Sequence, residues 1–470
     1  MLPRTLAAAA ALCCPSLAAA QAITPAETAA IDRIVETSLA STGVPSASVA
    51  VVRGGQIVFT RAYGKASEKM AQARPELPYQ IASISKQFTA AALLLLQRDG
   101  KLSLDDTVSQ YVPGVTGGDR ITLRQLVSHT AGLQDYWPQD YSFPAMEKPT
   151  TPQGIVDRWA RKPPDFAPGT QWQYSNTGYV VAGLVVEKVA GEPLLAFLQR
   201  RIFKPLGMTA IDQDKAVGAR YPQGYHRFAL GPVRVAPPAA RGWLFAAGEL
   251  AMSTADLARW DIARIDRTVL RPEDWQAQET AVKLADGKDT GYGLGVSVGT
   301  WTDGRHYVEH SGEAVGFLSE NIVFPDDKAA VVVFINADFS DATETIAKGI
   351  VATVLPAKTA AASDAVDETA KTAQARRIYD MLRSGTLDPA TMTEDSNYYF
   401  DAAARADYAA SLGALGEPTG FAPVRGPRLR GGFVNRNYTV TYPNRTLRII
   451  TYAEPGVTGR YEQFLVQPAN

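Results

Sequence analysis

Apolar residues recur along this chain in two periods, and the switches between them divide it into regions. Thr24-Pro25-Ala26-Glu27 reads as a capping box with proline at the first helical position. It opens a helix whose apolar stripe is Ile31, Ile34, Val35 and Leu39. Two strands joined at Gly54-Gly55 are expected at 48–52 and 56–62. A buried helix follows over 87–97 and ends at Gly100, and the pattern stays mainly helical, with long loops, from 83 to 264. Strand-like runs then return at 291–298, 306–309, 317–324 and 329–336, before a helix at 342–354. Strands early and late, with helices between, predict an α+β fold (an α/β sandwich). An antiparallel sheet is flanked by helices, with a large helical subdomain inserted.

Residues 356–371 are rich in Ala, Thr and Asp and read as a linker. Helical patterns at 373–383 and 401–412 follow, then strands near 433–442, 447–453 and 461–466. These predict a small α+β C-terminal domain over 372–470, beside a first domain over 21–355. The run Tyr398-Tyr399-Phe400 reads as core rather than as a ligand platform. No repeat of solenoid period occurs.

The N-terminus changes the expected address. Arg4, an apolar run from Leu6 to Cys14 and Ala18-Ala19-Ala20 make residues 1–20 resemble a bacterial secretory signal peptide. The apolar run is shorter than the roughly 20 residues that span a bilayer. Export to the periplasm or outside is expected, with no membrane span in the mature protein. Both cysteines, Cys13 and Cys14, would leave with the signal, so no disulfide or thiol chemistry is expected. A net charge of −1 and 46% hydrophobic content fit a soluble enzyme and give no reason to expect a nucleic-acid partner. The substrate is expected to be a small molecule or peptide, and oligomeric state is not legible.

Candidate chemistry centres on Ser83-Ile84-Ser85-Lys86. If Ser83 opens a helix, Lys86 lies one turn on, on the same face. A serine hydroxyl needs a nearby proton acceptor to act as a nucleophile, and the free N–H groups of a helix start can hold an oxyanion. Alone, the tetrapeptide is weak evidence, since Ser83 then reads as a helix cap. Two later segments, Tyr174-Ser175-Asn176 and His310-Ser311-Gly312, change that. Singly, Tyr174 reads as a buried aromatic, Asn176 as a turn or cap residue and His310 as a strand histidine. As an ordered trio they read as one site.

With the segments around them, these motifs resemble the serine β-lactamase and penicillin-binding protein superfamily. The resemblance covers about residues 31–355 and is nearer the branch of class C β-lactamases, family VIII esterases and D-peptidases. Supporting segments are Leu126-Val127-Ser128-His129-Thr130-Ala131-Gly132-Leu133, Pro205-Leu206-Gly207-Met208, Ala247-Gly248-Glu249-Leu250 and Tyr292-Gly293-Leu294-Gly295. It implies that Ser83 is acylated and that Lys86 and Tyr174 manage its proton. Asn176 would bond Lys86 and a substrate amide. The backbone N–H groups of Ser83 and of Glu313, after Gly312, would form the oxyanion hole. No cofactor is implied.

Two departures narrow the substrate. His310 stands where β-lactamases usually carry lysine, and a histidine of reference pKa ~6.5 is a poor permanent cation. In this family a histidine there goes with peptidases and esterases. Glu313 stands where small or hydroxyl residues are common. In the pocket it would repel carboxylates; it can equally point to solvent. The expected function is therefore ester or D-amino-acid peptide hydrolysis, with a β-lactamase or a non-catalytic peptidoglycan-binding relative as rivals.

Other motifs are weaker. Gly295-Val296-Ser297-Val298-Gly299 fits a nucleophile-elbow pattern, but alternation runs through it and Asp303-Gly304 reads as a hairpin turn, so Ser297 is expected in a strand. Of the four histidines, His306 and His310 would sit ~13 Å apart in an extended chain, too far for one metal ion. His129 is expected to be structural. Trp137, Tyr141, Trp243 and Phe245 are expected to line the substrate cleft.

Overall fold

The computed structural model describes residues 22–355, 369–424, 427–430, 433–456 and 458–469. The expected signal peptide, both cysteines and residues 356–368 of the expected linker lie outside the described residues.

Period-2 segments build the main sheet. Its strands are β1 (Ser46–Arg53), β2 (Gln56–Gly64), β3 (Ser297–Thr300), β4 (His306–Ala314), β5 (Phe317–Phe324) and β6 (Ala329–Ile335). All neighbours are antiparallel, in the order β2-β1-β6-β5-β4-β3. The first strands therefore meet the last, and everything between is inserted on one side. Central strands β1 and β6 are covered on both faces, which is why they are nearly continuous apolar runs. Ala47, Val49 and Val51 face helices α1 (Pro25–Thr42) and α5 (Ala342–Val354) with Val331, Val333 and Ile335. Ala50, Val52, Val332 and Phe334 face the larger core of the helical region.

Helix α1 begins at the expected capping box. Thr24 Oγ1 accepts from Glu27 N at 3.2 Å, and Glu27 Oε2 accepts from Thr24 N at 2.8 Å. Helix α5 spans the expected residues, because Ile346, Ala347, Ile350, Val351 and Val354 recur on one face and are buried. Burial of each large aliphatic side chain contributes about 1.5–3 kcal/mol.

The expected strand at 291–298 is largely absent. A Cβ on Gly293 would lie 1.9 Å from the Gln278 carbonyl, and one on Gly295 (φ 81°) 2.7 Å from the Lys86 carbonyl. This segment is pressed against other backbone, with Gly295 N donating to Val127 O, and the ladder starts only at Ser297. Ser297 is a strand residue with no helix behind it, and Trp301 to Arg305 closes the hairpin.

Helices α2 (Lys86–Arg98) and α3 (Asn176–Ala190) lie together in the helical region, and α4 (Thr254–Ile265) packs on β1, β2 and β6 of the sheet. Beyond the main sheet come α6 (Thr369–Ser384), α7 (Glu394–Tyr399) and α8 (Ala402–Gly413). They cover strands β7 (Gly420–Pro423), β8 (Arg428–Arg430), β9 (Phe433–Tyr442), β10 (Arg445–Ala453) and β11 (Tyr461–Ala469). These strands run in the order β7-β9-β10-β11, with β8 also on β9, over a separate core that includes Tyr379, Tyr408, Leu447 and Phe464. Because α6 starts at Thr369, residues 369–371 of the expected linker are helical. This C-terminal unit touches the rest of the chain through the Arg234–Asp407 and Arg448–Glu344 ion pairs and through loop 139–142.

Candidate active site

Ser83 sits on a tight turn (Ala82–Ser85) that runs directly into α2. Several bonds fix that turn. Ile81 N donates to Leu250 O, Ser85 Oγ accepts from Leu250 N at 3.2 Å, and Ser319 Oγ donates to Ile81 O at 2.9 Å. Ala82, just before Ser83, has φ 47° and is fully buried. A non-glycine residue there costs on the order of 1–3 kcal/mol and persists only where the surroundings over-determine it.

Lys86 is one turn on, as the spacing predicts. Its Nζ donates to Ser83 Oγ at 2.9 Å, Asn176 Oδ1 at 2.8 Å and Ala247 O at 2.8 Å. Three acceptors match the three donors of an ammonium. The same nitrogen lies 4.9 Å from the Tyr174 ring centroid and 5.3 Å from that of Tyr179.

Tyr174-Ser175-Asn176 crosses the start of α3. Ser175 is the N-cap, its Oγ accepting from Gly178 N at 3.2 Å, so Tyr174 is still extended while Asn176 is already helical. This change of conformation turns both side chains toward Lys86. Asn176 is committed on both sides of its amide. Its Nδ2 donates to Asp135 Oδ1 at 3.1 Å and points at Trp137 O at 3.5 Å. The substrate amide expected to bond Asn176 therefore meets a group already engaged by protein. Sequence reasoning missed Asp135, which follows the Leu126–Leu133 segment by two residues and whose carboxylate also accepts from the main chain of Asn176 and Trp137.

His129 is buried behind Tyr174, with ring centroids 4.2 Å apart, and its Nδ1 accepts from Ser175 N at 3.1 Å. Its φ of 61° is a second left-handed non-glycine residue at the site. His310 is also buried. Its Nε2 is 2.9 Å from the Tyr292 hydroxyl and its Nδ1 2.6 Å from Ser311 O. The carbonyl can only accept, so Nδ1 carries the proton and Nε2 accepts from Tyr292. Burial first, and then the Lys86 charge, push the His310 pKa down to about 3. The ring is neutral at pH 7 and both nitrogens are occupied. Burial also raises Tyr292 and Tyr179 well above the usual phenol range, keeping them as donors. Tyr292 was legible only as the first letter of Tyr292-Gly293-Leu294-Gly295.

Gly312 explains the third motif in steric terms. A Cβ there would lie 2.1 Å from Ile81 O and 2.3 Å from Ser319 Oγ. Only glycine lets β4 approach the Ser83 turn this closely. A pocket of about 180 Å³ results, lined by Ser83, Tyr174, Asn176, His310 and Glu313 among others. Of the aromatics expected at the cleft, Trp137 contributes to this lining. Trp243 does not. It is buried between Phe143 and Trp159, and its Nε1 donates to Lys148 O at 2.9 Å. Phe245 packs on Gly183. Tyr141 faces a second cavity of about 500 Å³, shared with Tyr398 and Tyr399 of the C-terminal unit. Of the run read as core, only Phe400 is buried; Tyr398 is 44% exposed and its hydroxyl bonds Glu147. Among the described residues no His, Cys, Asp and Glu cluster suits a metal ion, and no helix is long and apolar enough to cross a membrane.

A half-buried serine bonded to a buried lysine at the start of a helix, against the edge of an antiparallel sheet, has the layout of the serine β-lactamase and penicillin-binding protein superfamily. Comparison with known proteins agrees. Penicillin-binding protein 4* of Bacillus subtilis (strain 168) is 28% identical over 309 residues, 62% of this chain and 68% of that protein. The crystal structure of a D-stereospecific amidohydrolase from Streptomyces sp. matches at 29% identity and a TM-score of 0.59, covering 69% of this chain and 98% of that one. The octameric penicillin-binding protein homologue from Pyrococcus abyssi shares the fold over 93% of this chain and 99% of its own, with a TM-score of 0.62 and 20% identity. The family model described as Beta-lactamase matches residues 31–354, and the chain belongs to that family. It is a serine hydrolase of that kind.

Proposed function

We propose that this protein hydrolyses ester or D-amino-acid peptide and amide bonds through an acyl-enzyme on Ser83. The observation that carries the reading is the bonding of Lys86 Nζ to Ser83 Oγ and Asn176 Oδ1 beside the Tyr174 ring. Tyr174, as phenolate beside the Lys86 ammonium, takes the Ser83 proton as Oγ attacks the carbonyl carbon. Negative charge on the ring is favoured by a cation this near. The oxyanion is held by the N–H groups of Ser83 and Glu313, whose approach depends on Gly312. The intermediate collapses, the C–O or C–N bond breaks, and Tyr174 returns the proton to the leaving alcohol or amine. Tyr174 then takes a proton from water as the water oxygen attacks the acyl carbon, the bond to Ser83 Oγ breaks to release the acid, and Tyr174 returns the proton to Oγ.

The neutral His310 supports esters and peptides over β-lactams, since it offers no cation for a β-lactam carboxylate. Likeness to a D-stereospecific amidohydrolase supports the D-amino-acid reading. The pattern of residues 1–20 supports export to the periplasm or outside. The test is a comparison of kcat/KM for p-nitrophenyl esters, D-amino-acid p-nitroanilides and nitrocefin. Ester or anilide turnover above nitrocefin turnover is expected. Nitrocefin as the best substrate would replace this reading with a β-lactamase, and no turnover of any of them with a non-catalytic relative.

A further inference from the structure

The cavity of about 500 Å³ between the family region and the C-terminal unit adjoins the serine pocket of about 180 Å³, and the two share Asp140 and Val315 on their walls. The direction from one to the other follows from β4. The Tyr174 and His310 rings, 6.3 Å apart, stand at one end of the stretch of β4 that lines the serine pocket, and Val315 follows its other end. Tyr174 hands its proton to the leaving group, so the leaving group lies at the first end. The acyl part then runs the other way, past Glu313 to Val315, two residues and ~7 Å of extended chain. A long acyl chain on Ser83 would therefore enter the larger cavity.

That cavity has an aromatic wall and an acidic lining. Tyr399 stacks on Tyr141 with centroids 4.6 Å apart and meets Phe228 edge-on at 5.3 Å. Four carboxylates, Asp140, Glu147, Asp338 and Asp401, stand against one guanidinium, that of Arg227. Arg227 is spent on the carbonyls of Thr42, Leu230 and Gly231, and burial with the Arg234 charge lowers the His226 pKa and keeps that ring neutral. Three of the carboxylates are engaged as well: Asp140 by Gln463 Nε2, Glu147 by the Tyr398 hydroxyl, and Asp401 by Ala404 N at the start of α8. Asp338 differs. Its Oδ2 accepts from Gly316 N at 2.8 Å, in the turn between β4 and β5, and it forms no ion pair among the described residues. Burial pushes its pKa up to about 7, and no positive side chain holds it down. A desolvated carboxylate without a counter-charge is costly, and one that faces a cavity calls for a cation in it.

Aromatic rings beside a carboxylate are the complement of an alkylammonium group, whose methyl or methylene surface packs on the rings while its charge meets the anion. We propose that this cavity binds an alkylammonium group at the distal end of the substrate's acyl chain, with Asp338 as its counter-charge and Tyr141 and Tyr399 as its walls. This rests on the Ser83 acyl-enzyme reading. It narrows the substrates to those with a cation several bonds beyond the scissile carbonyl. It also gives the C-terminal unit a part in specificity, because Tyr399 belongs to α7.

The experiment compares the p-nitrophenyl esters of ω-trimethylammonio-octanoic acid and of its uncharged isostere, ω-tert-butyl-octanoic acid, at pH 8, where Asp338 is ionised. The full-length wild type should favour the cationic ester in kcat/KM by about 10-fold. Asp338→Asn keeps an acceptor for Gly316 N and removes the charge, and should erase most of that ratio through KM for the cationic ester. Tyr399→Leu, which removes one ring of the wall, should lower the ratio by a smaller factor, about 3-fold. Labelling of Ser83 by a fluorophosphonate reports that each variant is folded. A wild type that turns over the uncharged ester as well as the cationic one overturns the proposal while leaving the hydrolase reading intact. So does a ratio unchanged in Asp338→Asn, or equal loss on both esters. A wild type that turns over neither ester and takes no label on Ser83 removes the hydrolase reading and this one with it.

Discussion

The floor and the roof of the serine pocket are held in different ways. Ser83, Lys86, Asn176 and His310 rest on the Beta-lactamase-family region's own core, and their polar atoms are bonded to one another and to nearby carbonyls. Loop 139–142 has little such support from that core and is fastened to β11 of the C-terminal unit. The difference teaches where rigidity is needed. Groups that move protons must be preorganised, and burial in a packed core does this without a partner. A loop that lines the pocket can instead be held by a second unit.

The sharpest way to break the floor is Gly312→Val. Its side chain would collide with Ile81 O, and β4 would have to move off the Ser83 turn. We expect kcat/KM to fall by at least about 100-fold, with the far-ultraviolet circular dichroism spectrum retained. Retained activity would mean that close approach of β4 does not matter. Asp135→Ala frees the Asn176 amide from its anchor. A loss of about 10–100-fold in kcat is expected, since a support of this kind acts through the group it orients. Steady-state kinetics with a p-nitrophenyl ester checks it, and an effect confined to KM would count against the role.

His310 gives a pH test of the same floor. Its folded pKa lies at about 3, below the ~6.5 of a free histidine. Below pH ~6.5 the unfolded chain takes a proton that the folded chain refuses. The stability contribution is thus whole above pH ~6.5 and is lost as pH falls toward 3. Chemical denaturation from pH 7 to pH 4 should show a stability loss that shrinks in His310→Asn. An unchanged loss would remove His310 from the account. The smallest effect is expected at the junction. Tyr398→Phe removes an exposed bond to Glu147 and should change stability by less than about 1 kcal/mol in urea denaturation. A larger change would make the two units one cooperative block and blur the distinction between floor and roof.

The sequence revealed what is local. A capping box set the start of α1, an apolar stripe set α5 over 342–354, and three residues of spacing put Lys86 beside Ser83. What it hid depends on contacts distant in the chain. Nothing near Tyr292 says that its hydroxyl meets His310, and nothing near Gly293 and Gly295 says that they press on Gln278 and Lys86 rather than pair as a strand. Trp243 looked like a cleft residue because it is aromatic and near a family segment, but packing on Phe143 and Trp159 claims it. Asp338 was invisible for a similar reason. Nothing near it in the chain says that it faces a cavity shared with Tyr141 and Tyr399.

The central claim is that Ser83 is an activated nucleophile. Intact-protein mass spectrometry after exposure to a fluorophosphonate tests it most directly. A single adduct on the wild type that is lost in Ser83→Ala is the predicted result. An adduct that persists in Ser83→Ala, or no adduct on folded wild type, would contradict it.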